Sequence, residues 1–146
     1  MDEERRFEWK AALLPRDTAW AMSEENIELA QRASEMFNRR DLHGFLALMA
    51  EDVKFQPQMG PRSEGHDGMR RLWNNLIGGP GFPVVVVRLR DLGTDLVLAA
   101  VHARGEGVGA VEQTYWVPSR WRQGECFWWG IFLDEQDALE AAGLRE

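Results

Sequence analysis

The hydrophobic period of this chain changes once, near Pro83, and that change constrains its fold class more than any other feature. Before it, apolar residues recur at helical spacing. Ile27, Ala30, Ala33, Met36 and Phe37 follow Ser23, a natural N-cap, with Glu24 and Glu25 where a helix dipole favours acids, which predicts a helix over 24–38. Asp41 is placed to cap a second, shorter helix carrying Leu42, Phe45, Leu46, Leu48 and Met49, and 53–56 reads as a short strand. Met69, Leu72, Trp73, Leu76 and Ile77 mark a third helix, which the glycine-rich stretch 78–81 ends. Beyond Pro83 come four β-rich runs, 84–92, 95–104, 110–122 and 125–134, and a last helix over 135–142 that stops at Gly143. Helices first and strands later is an α+β arrangement. The expected architecture is N-terminal helices packed on a curved, mostly antiparallel sheet, with a short C-terminal helix.

With 146 residues, one core is expected, and 7 Trp and 7 Phe give it a heavy aromatic filling. Residues 1–21 have no long periodic face and read as an N-terminal extension, ordered or disordered, ahead of a domain over 22–146. The 17 Lys and Arg against 24 Asp and Glu leave a net charge of −7, which repels phosphate backbones and argues against nucleic-acid and anionic-membrane partners. Cys126 is the single cysteine, so no intrachain disulfide forms, and no Cys/His cluster has the spacing of a metal site. These features fit the cytoplasm, as does the lack of an apolar run of the ~20 residues a membrane span needs.

The last hairpin fixes expected faces. A two-residue turn at Gln123-Gly124 pairs Arg122 with Glu125, and unbroken pairing then sets Tyr115 opposite Phe132 and Gln113 opposite Asp134. Alternation would put Gln113, Tyr115, Val117, Trp128, Phe132 and Asp134 on one face, and Trp116, Arg120, Phe127, Trp129 and Ile131 on the other. If the first face meets the helices, the second leaves Trp116, Trp129 and Ile131 exposed, and a homodimer through the sheet is expected to cover them. A bulge at Pro118 would flip this parity upstream.

The pieces Met22-Ser23-Glu24-Glu25-Asn26, Phe37-Asn38-Arg39-Arg40-Asp41-Leu42, Glu51-Asp52-Val53, Gly65-His66-Asp67-Gly68 and Phe132-Leu133-Asp134, with the closing 138–144, resemble the SnoaL-like branch of the nuclear transport factor 2-like superfamily. The resemblance implies a cone-shaped α+β barrel that usually pairs into dimers. It implies no single activity, because the superfamily includes cyclases, isomerases, epoxide hydrolases and dehydratases.

Relatives that do chemistry often hold an acid late in the last strand, so Asp134 is the candidate proton shuttle, with Tyr115 or Gln113 polarising a carbonyl beside it. The alternative for Asp134 is a cap on the amides of Gln136 or Asp137. Phe55, Trp73, Trp128 and Phe132 are candidate walls for a hydrophobic small molecule, and His66 sits at the mouth of the third helix. Arg88 with Arg90, and Arg120 with Arg122, are same-face pairs able to grip an acidic ligand. The arginine and paired acids of the epoxide-hydrolysing relatives find no match here, and the Tyr of isomerase-like relatives is not on the first helix. Two readings stay open: cofactor-free acid–base chemistry on a hydrophobic carbonyl compound, and a non-catalytic dimeric module that binds a ligand or partner.

Overall fold

The first helix is longer than its sequence signals suggest. The structure, a computed structural model, describes residues 14–76, 84–93, 95–104 and 112–143, and α1 runs from Leu14 to Asn38. Ser23, expected as a cap, lies inside the helix, which already covers 14–21. Pro15 falls in the first turn, where its missing N–H has no intrahelical partner to lose. The expectations that rest on 1–13, Ile77, the 78–81 stop, the 105–109 loop and Leu144 lie outside the described residues.

The α2 helix (Leu42–Ala47) begins where Asp41 accepts a hydrogen bond from the Gly44 amide at 2.8 Å. It ends two residues short of the expected stripe, because Met49 already belongs to β1 (Met49–Pro57), itself longer than the four residues expected. A two-residue strand, β2 (Ser63–Glu64), leads into α3 (Gly65–Leu76). The strands β3 (Val84–Asp91), β4 (Leu96–Arg104), β5 (Glu112–Arg122) and β6 (Glu125–Ile131) follow, then α4 (Glu135–Ala141).

All six strands form one curled, unclosed sheet in the order β2-β1-β6-β5-β4-β3, with β1 and β6 parallel and the other pairs antiparallel. The α+β class and the curved sheet are as expected. No described helix is long and apolar enough to cross a membrane.

One irregularity decides which side chains face inward. Arg122 pairs with Glu125 and Trp121 with Cys126, as the turn demands. Arg120, however, pairs with Trp128 and Ser119 with Trp129, so Phe127 and Trp128 together oppose one residue of β5. This bulge moves everything beyond it by one position, and a one-residue shift exchanges the faces of a strand. Trp116, not Tyr115, therefore lies opposite Phe132, and Gln113 is not opposite Asp134. The pairing of β4 with β5 runs through Pro118 without a break, so the parity change sits in β6. Trp116 donates its amide to Phe132 across that side of β5. By alternation the missing N–H of Pro118 also belongs there, where the β5–β6 ladder is interrupted.

Two layers cover the two faces. Leu29, Ala30 and Ala33 of α1 pack with Phe45, Val53, Phe55, Met69, Trp73, Trp121 and Cys126 in the main core. On the opposite face α4 sets Ala138 against Leu98 and Phe132, with Trp116 and Leu139 beside them. Trp129 and Ile131 thus face the helices while Trp116 packs, partly buried, beside α4 on the other face, so the three side chains from which the sheet-face homodimer was argued do not share one face.

Candidate functional site

Between α1 and the concave face of the sheet lies a cavity of about 100 Å³. Ala30, Ala33, Ser34 and Phe37 reach it from α1 at i, i+3, i+4 and i+7, one helical stripe. Small side chains open it: a larger residue at Ala33 or at Ala99 of β4 would occupy the space. Strand alternation in β5 supplies Val117, Ser119 and Trp121, and the bulge in β6 supplies Trp129 and Ile131 in place of Trp128. The volume is below the ~300–1,000 Å³ typical of sites for drug-sized ligands.

Aromatic rings fill most of the cone. Phe37 meets Trp73 edge-on with centroids 5.6 Å apart, Trp73 meets Phe45 at 5.2 Å, Phe45 meets Trp129 at 5.9 Å, and Trp129 meets Phe55 at 4.4 Å. These tilted and edge-to-face contacts are the favourable geometries for ring quadrupoles. Phe55 and Trp73, expected as ligand walls, are buried behind Phe45, Phe37 and Trp129 and do not line the cavity.

The polar groups on the cavity wall are few. Ser34 donates to the Ala30 carbonyl within its own helix at 3.2 Å. The indole Nε1–H of Trp121 donates to Ser119 Oγ at 2.8 Å, while the Nε1–H of Trp129 is buried with no partner. Cys126 donates its thiol to the Trp128 carbonyl at 3.3 Å, and burial pushes the thiol pKa from 9.0 up to about 12. A thiol held so firmly neutral is no nucleophile. No carboxylate, imidazole, amine, guanidinium or phenol lines the cavity among the described residues.

The candidate catalytic residues are not brought together. Asp134 is exposed and caps α4, accepting from the Gln136 amide at 2.8 Å and the Asp137 amide at 3.3 Å. Tyr115 is half-buried on the inward side of β5, opposite Val101 but outside the cavity wall. Gln113 is exposed, and its side chain donates to the Thr114 carbonyl at 3.0 Å. His66 Nε2–H donates to the Met49 carbonyl at 3.0 Å, pinning the start of α3 to β1. Phe132 lies under α4 on the other face of the sheet.

Trp128 is also on that outer face, in a hollow of about 360 Å³ with Phe127, Lys54, Arg122 and Asp52. The hollow is the larger of the two, yet its charges oppose one another. Glu64 stands opposite Lys54 and Glu125 opposite Arg122, whose guanidinium lies 4.3 Å from the Phe127 ring centre. Two arginines fasten α4 to the sheet: Arg90 pairs with Glu135 at 2.8 Å, and Arg120, which also lines the hollow, donates to the Ala142 carbonyl and, at 2.5 Å, to Asp95 between β3 and β4. An acidic ligand would have to displace these contacts.

Sequence reasoning placed Trp129 on the wrong face and did not single out Ser119, Trp121 or Cys126. Strict alternation from Val117 would have supplied Ser119 and Trp121. In the run Phe127-Trp128-Trp129 every residue is aromatic, so periodicity alone carries no mark of the bulge.

A family model for a SnoaL-like domain matches residues 30–127. No curated protein sequence matches the chain. Among solved structures, a proposed ketosteroid isomerase from Kribbella flavida is similar over 77% of this chain and 79% of its own, with 23% identity and a TM-score of 0.66. An LEH-like epoxide hydrolase from M. tuberculosis aligns over 80% of this chain and 88% of its own, with 18% identity and a TM-score of 0.63. A computationally designed 17-OHP binder aligns over 78% of this chain and 93% of its own, with 18% identity and a TM-score of 0.65. At these identities the likeness is one of fold.

Proposed function

The chain belongs to the SnoaL-like family of the nuclear transport factor 2-like superfamily, and from that premise we propose that it binds a small apolar molecule in the cone rather than catalysing acid–base chemistry there. The observation that carries this reading is the chemistry of the cavity wall, which among the described residues offers no group able to move a proton near neutral pH. The three structural relatives are named for an isomerase, a hydrolase and a binder, and of these only the binder's task needs no acid or base. With about 100 Å³, the cavity suits a ligand no larger than roughly benzene, since an engineered apolar cavity of ~150 Å³ in another protein holds that molecule.

The test uses methylenecyclopentane, which has as many heavy atoms as benzene, as a probe. Binding to the folded state raises the unfolding midpoint with probe concentration, by mass action. Ala99→Leu, which fills the cavity from β4, should abolish the rise while the variant stays folded. No rise in the parent protein, or an equal rise in the variant, would refute a ligand site in the cone.

A further inference from the structure

The cavity is not uniformly apolar, and its polar group has a direction. Ser119 is only 8% exposed, yet its side chain lines the cavity. Its oxygen accepts the Trp121 indole N–H at 2.8 Å. An indole N–H can only donate, so it occupies a lone pair of Ser119 Oγ and leaves the hydroxyl proton to find an acceptor elsewhere. No described hydrogen bond uses that proton. Beside it, the buried Nε1–H of Trp129 also lacks an acceptor. Cys126 and Ser34 have already given their protons to the Trp128 and Ala30 carbonyls. What the wall leaves unmet is therefore donor capacity, at a place with no formal charge within the lining.

We infer that Ser119 is the anchoring and selecting residue of the cone, and that the ligand is a small uncharged molecule, apolar but for one hydrogen-bond acceptor such as a ketone, aldehyde or ether oxygen. Charge is excluded because the wall offers no counter-ion to repay desolvation. An acceptor is selected because a ligand without one leaves the buried hydroxyl proton unmet. The Trp121 N–H is a positioning group: it holds the Ser119 oxygen and keeps its proton from pointing at the indole. This inference rests on the binding reading above and adds to it the chemical class of the ligand.

Cyclopentanone and methylenecyclopentane, both of about the size of benzene, separate the two, since they share a shape and differ in the oxygen. Affinities are measured by calorimetry for the parent protein, for Ser119→Ala, and for the double variant Ser119→Ala/Trp121→Phe, in which the Trp121 N–H is not left without its acceptor. Ser119→Ala should weaken cyclopentanone about fivefold, the worth of one neutral hydrogen bond, and leave methylenecyclopentane within about twofold. In the double variant, whose cavity wall is smaller at Trp121, the affinity of cyclopentanone relative to methylenecyclopentane should fall by the same factor, with thermal unfolding confirming that it is folded. If both probes bind the parent and both weaken equally in the variants, the anchor is refuted while the cavity survives as a site. A cyclopentanone affinity untouched by either variant refutes it equally. If neither probe binds the parent protein, the binding reading falls and this inference falls with it.

Discussion

Asp134 shows how one carboxylate can be read two ways from sequence and only one way from its neighbours. An acid that ends a strand and begins a helix is a candidate proton shuttle or a cap, and the Gln136 and Asp137 amides make it a cap here. Asp134→Ala should cost about 1 kcal/mol in urea unfolding and Asp134→Asn almost nothing, with probe affinity unchanged in both. A loss of probe affinity in a fully stable Asp134→Asn would contradict this placement. Cys126 carries a second prediction. Its pKa is raised from 9.0 to about 12 by burial, so the folded state holds the thiol proton more tightly than the unfolded state does. That contribution to stability is complete below about pH 9 and is lost as the pH rises toward 12. Unfolding free energy should fall with pH across this window, and less steeply in Cys126→Ala. The native thiol should also resist alkylation at pH 8 until the protein is unfolded.

At the scale of elements, the bulge in β6 separates what was legible from what was not. Helix and strand types were readable, because Met69, Leu72 and Trp73 keep one helical face and the β-rich runs are punctuated by glycine. The start of α1 was not readable, because Ser23 has the chemistry of a cap wherever it stands. Nor was the parity of β6, for an inserted residue leaves no trace in a run of aromatic side chains. Trp129 and Trp128 were thus exchanged between faces, and Phe132 went from the cone to α4. The energetic consequence is testable. Trp129→Ala removes a ring packed on Phe45 and Phe55 and should cost about 3–5 kcal/mol, whereas Trp128→Ala on the outer face should cost less than half as much. Equal costs in chemical denaturation would mean that the register across Arg120 and Trp128 is not the one described.

For the whole molecule, the order of helices and strands made the α+β fold legible, while the site depends on how the cone is filled. Ring-to-ring contacts from Phe37 to Phe55 close most of the cone, and the space that remains is set by alanines on α1 and β4. No sequence pattern reports a volume. The outer face is held by α4 and its arginine contacts, so the larger hollow there is a seam between charged residues rather than an apolar chamber. The central claim, that a small apolar ligand enters between α1 and the concave face, is tested most directly by the indole N–H resonances, assigned with single Trp→Phe variants, during a titration with methylenecyclopentane. The account predicts that the Trp121 and Trp129 signals move while those of Trp116 and Trp128 stay fixed. Movement of Trp128 with Trp129 unmoved, or no movement at saturating probe, would contradict it.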